Sequence, residues 1–172
     1  MNMHRALLLT GSNLGDRAEA LAFARSRVAE TAGRVVQASR EYETVPWGSF
    51  ADGGERHPFL NQAIAVETLL TPEALLDAIQ RIEHESGRPL HEAEFAPATG
   101  TRLYRSRTLD IDILFYDSAV IDTPRLTVPH PRLAERRFAA EPAAEIWPDY
   151  VHPVLKITLK ELFNSFLLGD SQ

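Results

Sequence analysis

The spacing of apolar residues along the chain alternates between period two and period 3.6, and the changes mark out its elements. Residues 5–10, Arg-Ala-Leu-Leu-Leu-Thr, predict a short strand buried on both faces. It runs into Gly11-Ser12-Asn13-Leu14-Gly15-Asp16, a stretch of turn formers best read as a simple turn. Asp16 is placed to cap a helix over about residues 17–32, with Leu21, Ala24 and Val28 on one stripe and Gly33 past its end. Residues 35–44 predict a second strand, and residues 45–58 a loop with Pro46, Trp47, Gly48 and Gly53-Gly54. An exposed Trp47 there either docks into the core or closes over a ligand. From Phe59 to Leu69 the alternation is clean: Leu60, Ile64 and Val66 share one face, and Phe59, Asn61, Ala63 and Ala65 the other. The small alanines leave room on that second face, either for a packed helix, the commoner reason, or for a flat ligand. Thr71-Pro72-Glu73 opens a second helix, whose stripe is Leu75, Leu76, Ile79 and Ile82 and whose stop is Gly87. From Arg88 to Ser106 neither period is present, and a loop this long in a compact domain is usually functional or disordered.

The next stretch, Arg107-Thr108-Leu109-Asp110-Ile111-Asp112-Ile113-Leu114-Phe115, returns to period two. Asp110 and Asp112 point one way, and Leu109, Ile111, Ile113 and Phe115 the other. The carboxylates then stand roughly 6.6–6.8 Å apart at Cα, a spacing that suits Mg²⁺, which prefers oxygen ligands. Taken alone, such a pair is more often the solvated face of an amphipathic strand. A short strand near Ala119–Ile121 follows, then Arg125-Leu126-Thr127-Val128 and Pro129-His130-Pro131. Pro131 is placed to open a helix with Leu133 and Phe138 on its inner side. A last amphipathic helix spans about residues 158–168. The order β-α-β-β-α-β with a C-terminal extension predicts an α+β, ferredoxin-like core: a mainly antiparallel sheet, helices on one face, the other face open.

At 172 residues with 44% apolar and 24% charged residues, the chain reads as one soluble domain. With no cysteine, disulfides, thiolate nucleophiles and Cys-based zinc sites are excluded. The N-terminal apolar run Ala6–Leu9 is too short for a signal sequence and no run reaches membrane-spanning length, so a cytoplasmic protein is expected. A net charge of −6 argues against a general nucleic-acid binder. Yet 16 of the 18 basic residues are Arg, and eight of them fall between Arg88 and Arg137, around the acidic pair, where they suit phosphate.

Six stretches match one family in order and spacing. They are Gly11–Arg17, Tyr42–Gly48, Phe59–Ala63, Gln80–Glu83 with Gly87-Arg88, Arg107–Phe115, and Val128–Leu133 followed by Arg136 and Phe138. Over roughly residues 6–150 the chain resembles the 6-hydroxymethyl-7,8-dihydropterin pyrophosphokinases of folate biosynthesis. The resemblance implies transfer of the β,γ-pyrophosphate of ATP to the pterin hydroxymethyl group, with release of AMP and with two Mg²⁺ ions held by Asp110 and Asp112. It implies that Arg88 and Arg107 engage ATP phosphates or order the loop, with Arg136 as another such arginine, and that His130 contacts ATP. Gln80 and Glu83 fall at nucleotide-side positions, and Ile113, Leu126 and Thr127 fall where adenine and ribose are gripped. Thr44, Val45, Trp47 and Asn61 fall at pterin positions, with Phe59 and Phe138 as the aromatics on either side of the ring. Arg107, Asp110 and Asp112 are the implied catalytic set. The partners implied are these two small molecules, with no nucleic acid and no membrane, and a monomer is expected.

The chain departs from the family pattern before Arg107, where Tyr104-Arg105-Ser106 replaces a Trp-Gly-Pro run, so Tyr104 or Arg105 is the candidate replacement. Two other classes stay in view. A regulatory pterin- or nucleotide-binding module would bind without releasing AMP. A sheet-based RNA binder would need strand aromatics in an RNP pattern and a basic surface, and this acidic chain has neither.

Overall fold

Strand β1, His4–Ser12, is the centre of the sheet, and its seven buried residues from Ala6 onward show why it reads as apolar on both faces. The structure, a computed structural model, describes residues 2–44, 58–86 and 109–169. Helix α1 (Arg17–Thr31) follows, with the Asp16 carboxylate accepting the Glu19 N–H at its start. Next come β2 (Arg34–Ala38), β3 (Tyr42–Thr44), β4 (Phe59–Thr68) and α2 (Pro72–Glu85), whose N-cap is Thr71. Strand β5 (Asp110–Tyr116) leads to the hairpin β6 (Ile121–Asp122) and β7 (Thr127–Val128), then α3 (Arg137–Ile146) and α4 (Leu159–Gly169).

The main sheet is antiparallel with the order β2-β4-β1-β5, and β3 also pairs with β4. The expected second strand over 35–44 is thus two strands along one edge of β4. The break falls at Ser39, which keeps its backbone N–H on the Ala63 carbonyl while its hydroxyl accepts the Ala63 N–H and its carbonyl accepts from the Gln62 side chain, so side chains take over half of the ladder for one step. The expected turn at Gly11 is also displaced. Gly11 and Ser12 are still strand, paired with Asn61 and Leu60, and the positive φ of 67° that marks the turn is at Gly15.

Helices cover both faces, where one covered face was expected. On one side Ala24 and Val28 of α1 and Leu75, Ile79 and Ile82 of α2 pack on Leu8, Ile64, Val66, Ile111 and Ile113. On the other, α3 and α4 bring Ala139, Ala140, Ala143, Leu159 and Leu162 against Leu7, Leu9, Ala63, Ala65 and Phe115. The alanines of β4 do make room for a helix, as their size suggests. They therefore lie under α3 and are not a shallow ligand surface. Pro131 does not open α3: a single 3₁₀ turn, Leu133–Glu135, intervenes, and the extended Arg136 (φ −123°, ψ 97°) interrupts the helical backbone before Arg137.

The strict alternation predicted for the acidic strand fails at one residue. Leu7 pairs with Phe115 but Leu8 pairs with Ile113, so Leu114 is an extra residue on β5. Beyond this bulge the strand's faces are exchanged. Phe115 joins the core on the same side as Asp110 and Asp112, while Tyr116 joins the opposite one. The bulge also turns the Leu114 carbonyl to the His130 N–H at 3.0 Å, docking the 127–130 segment on β5.

The C-terminal elements are fastened by the segment between α3 and α4. His152 is 5% exposed, stands edge-on to Phe115, and its Nδ1 accepts the N–H groups of Val154 and Leu155. Burial pushes its pKa below the ordinary 6.5, and protonation would remove both acceptor bonds. The sign follows: the unfolded chain takes up the proton first, so stability is complete above about pH 6.5 and is lost as pH falls through the lower folded value. Thermal unfolding of the wild type should therefore drop on acidification below pH 6.5. A His152→Asn variant, whose amide oxygen can still accept, should show a shallower dependence in that window.

Candidate active site

One row of residues crosses four strands at the C-terminal end of β1. Tyr42 pairs with Asn61, Asn61 with Gly11, and Gly11 with Asp110. Directly opposite residues in an antiparallel sheet share a face, so these four stand side by side on the face that α3 and α4 cover further along. The row behind it holds Ala63, Leu9 and Asp112, and the row in front pairs Thr44 with Phe59. With strands about 4.8 Å apart, Asn61 and Asp110 are about 10 Å from each other across Gly11.

Gly11 gives this floor its shape. A Cβ built there would lie 2.7 Å from Asn61 Oδ1 and 3.7 Å from Phe59 Cδ1, so only glycine lets the Asn61 amide lie where it does. Asn61 is 3% exposed and donates from Nδ2 to Thr44 Oγ1 at 2.9 Å, fixing the two polar groups as a unit. A Gly11→Ala variant should displace that amide. If Thr44 and Asn61 meet the pterin as the resemblance implies, its affinity should fall roughly tenfold, about the worth of one misplaced hydrogen-bonding group, with ATP affinity little changed; isothermal titration with each ligand checks it.

At the other end of the row the acids are held by their strand and by what packs on its free edge. Asp112 is 31% exposed at its side chain and lies 3.9 Å from His130 Nε2. His130 Nδ1 accepts the Arg132 N–H at 3.3 Å, so in the neutral ring the proton sits on Nε2, facing the acids. From α2, the Glu83 carboxylate accepts the Ile111 N–H at 2.8 Å, between the two acids, and Glu83 is 7% exposed. Its implied nucleotide-side position is thus directly behind the acidic strand. Gln80, also on α2, lies 3.5 Å from Arg125, which is held by Asp77 at 2.7 Å and ties the β6–β7 hairpin to that helix.

Not every predicted site residue presents its side chain to this floor. Ile113 and Leu126 are buried in the core under α1 and α2, and Thr127 is in β7 beside them. Phe138 stands on the first turn of α3 at the margin of the opposite core, with the Arg136 guanidinium 5.5 Å from its ring centre. Val45, Trp47, Arg88 and Arg107 lie outside the described residues, as do Tyr104 and Arg105. Two contributors were assigned no role from the sequence. Arg17 donates to Glu43 at 2.7 Å and to the Pro58 carbonyl at 3.0 Å, pinning the end of β3 to the start of β4. Its position in the Gly11–Arg17 motif was the available signal. Glu145 accepts from Tyr42 and Arg40 across the sheet edge, and nothing local in the sequence marks it. Burial acts to raise its carboxyl, but the bonds from Tyr42 and Arg40 outweigh it and hold the pKa below the ordinary glutamate value.

Among the described residues no group of three or more His, Cys, Asp or Glu is arranged to hold a metal ion. That does not count against Mg²⁺, which is commonly held through one or two carboxylates plus substrate phosphates. Two half-exposed carboxylates on one strand face are a donor set of that kind. No helix among the described residues is long and apolar enough to cross a membrane.

One face of the antiparallel sheet thus carries an acidic pair and a buried amide, and His130, which follows β7, is docked beside the acids. Residues 7–148 match the family described as 7,8-dihydro-6-hydroxymethylpterin-pyrophosphokinase (HPPK), and the chain belongs to it. A 2-amino-4-hydroxy-6-hydroxymethyldihydropteridine pyrophosphokinase from Methylorubrum extorquens is 42% identical over 150 residues, covering 87% of this chain and 86% of that protein. The protein of the same name from Bacillus subtilis is 39% identical over 145 residues, 82% of this chain and 77% of its own length. Among solved structures, an HPPK-DHPS chain in complex with substrates superposes with a TM-score of 0.71 at 14% identity, over 98% of this chain and 44% of that one. Wild-type Plasmodium falciparum HPPK-DHPS with pteroate gives 0.73 at 16%, over 97% and 45%. At such identities these two attest the fold, and this chain spans under half of either.

Proposed function

We propose that the row from Asn61 through Gly11 to Asp110 is the floor on which the family's reaction takes place in this chain. The chain is a pyrophosphokinase of folate synthesis, transferring pyrophosphate from ATP to hydroxymethyldihydropterin. The observation that supports the site is the placing of amide and carboxylate at opposite ends of one row, with no side chain between them. A flat heterocycle set at the Thr44–Asn61 end can direct its hydroxymethyl group toward the acids about 10 Å away.

In this reading Thr44 and Asn61 bind the edge of the pterin. Phe59, from β4, and Phe138, from α3, contribute its two aromatic faces. Val45 and Trp47 are assigned to the same pocket by motif position. Asp110 and Asp112 would hold Mg²⁺, two ions by family resemblance, and the chemistry such ions supply is neutralisation of phosphate charge during transfer. The side chain of His130 donates from Nε2 to phosphate oxygen and is no general base in that tautomer. Arg88, Arg107 and Arg136 complete the cationic side for ATP, with Gln80, Thr127 and the backbone near Ile113 and Leu126 toward the nucleoside. Glu83 acts by holding the Ile111 N–H, and through it the strand that bears both acids. The reaction joins the pterin oxygen to the β-phosphorus of ATP, breaks the bond from that phosphorus to the AMP oxygen and releases one proton. It needs positioning and charge more than a dedicated nucleophile.

The test is a coupled assay of AMP formation. AMP release that requires both 6-hydroxymethyl-7,8-dihydropterin and Mg²⁺ is the expected result. Pterin binding by calorimetry with no AMP formed would move the chain to the class of regulatory binding modules.

A further inference from the structure

Glu145 belongs to no motif that carries the resemblance, yet it is the point at which α3 is tied to the strand edge that carries the polar floor. Its Oε1 accepts the Tyr42 hydroxyl at 2.5 Å and Arg40 Nε at 3.0 Å, and its Oε2 accepts the Arg40 backbone N–H at 3.0 Å. The Arg40 guanidinium also donates to Tyr42 Oη and lies 5.2 Å over its ring. The Glu145 side chain is 28% exposed. A lone ion pair at that exposure would contribute little, but a carboxylate with three hydrogen bonds from one strand-edge segment is a joint.

What the joint aligns follows from two periodicities. Phe138 and Glu145 are seven residues apart on α3, two turns, so they lie on one stripe of the helix about 10.5 Å from each other. Tyr42 and Thr44 are two residues apart on β3 and share a face. Tyr42 is opposite Asn61 and Thr44 is opposite Phe59. Fixing Glu145 to Tyr42 at one end therefore sets the separation, at the other end, of Phe138 from Phe59 and from the Thr44–Asn61 pair.

We propose that Glu145, through Tyr42 and Arg40, is a positioning residue that sets the width of the slot between α3 and the β3–β4 edge, and with it the affinity for the flat heterocyclic substrate. This rests on the functional reading above and adds a determinant to it. Loosening the joint lets α3 and β3 drift apart while leaving the acidic strand in place; of the residues assigned to ATP, Arg136 stands at the start of the same helix, on Phe138, and shares in the movement. The larger cost therefore falls on the heterocycle, which touches both sides of the slot.

The experiment uses the whole chain and four proteins: wild type, Glu145→Ala, Tyr42→Phe and the double variant. The dissociation constant of 6-hydroxymethyl-7,8-dihydropterin is measured with a non-hydrolysable ATP analogue present, and that of the analogue separately, alongside thermal unfolding. The expected result is pterin binding weakened about tenfold in Glu145→Ala and by a smaller but measurable factor in Tyr42→Phe, which leaves both Arg40 bonds in place, with the double variant no weaker than Glu145→Ala, because that variant already removes the whole joint. ATP-analogue binding should stay within about twofold. Tyr42→Phe removes one oxygen and keeps the ring, so it answers the question if Glu145→Ala folds poorly. Equal weakening for both ligands, or pterin binding unchanged in folded Tyr42→Phe, overturns the inference while leaving the pyrophosphokinase reading intact. A wild type that binds no pterin and releases no AMP overturns both.

Discussion

Replacing Asp110 or Asp112 by Ala should lower AMP formation by roughly 10³-fold or more while the protein keeps its unfolding temperature. In the proposed site the carboxylates act where phosphate charge is redistributed, and several kcal/mol of stabilisation there corresponds to a tenfold rate change for about each 1.4 kcal/mol, so the expected loss is large. Folding should be indifferent. Both acids are half-exposed and the aliphatic partners that secure the strand, Leu109, Ile111 and Ile113, lie on its other side. Changes at such positions usually shift stability by about 0.5 kcal/mol or less. Single-turnover kinetics with both substrates saturating would isolate the transfer step. A variant within tenfold of wild type would remove that acid from the site.

Glu83 should behave in the opposite way, with stability and activity lost together. Its carboxylate is buried and holds the Ile111 N–H, so Glu83→Ala strands a backbone donor between the two acids. Leaving such a group unsatisfied costs about 1–3 kcal/mol, and the strand that carries Asp110 and Asp112 loses its support from α2. Glu83→Gln separates the two effects, because its amide oxygen can still accept the Ile111 N–H. We expect urea unfolding of Glu83→Gln near wild type and of Glu83→Ala shifted by the amount above, with turnover following stability. If Glu83→Gln folds normally yet loses ATP affinity, the carboxylate faces the nucleotide and not the strand.

Both predictions depend on contacts between distant elements, and the chain shows unevenly how such contacts can be foreseen. The alternation of β4 could be read directly, since Phe59, Asn61, Ala63 and Ala65 need only their own backbone to share a face. Helix starts at Asp16 and Thr71 were equally plain, because a cap is a bond to a residue three positions on. The bulge at Leu114 had no such mark: Leu, Phe and Tyr satisfy either face, and only pairing with Leu7 and Leu8 decides which they take. The bond from the Ile111 N–H to Glu83 had no local mark either, since its two partners are 28 residues apart.

The acidic strand carries the division furthest. Its own residues determine that Asp110 and Asp112 stand together, since period two is a local property of extended backbone. Its sequence match within the family also suffices to point to a pyrophosphokinase. What stands beside those acids was decided only in three dimensions. Gly11 came across from β1 to leave the floor clear, Asn61 came next to it from β4, and His130 was docked by the carbonyl of the bulge. The C-terminal extension covered the face expected to be open, and through Glu145 it bound an edge 105 residues away. Periodicity states which side chains share a side of their own element. Which element comes to cover that side depends on long-range packing, and so it emerges only when the chain is folded.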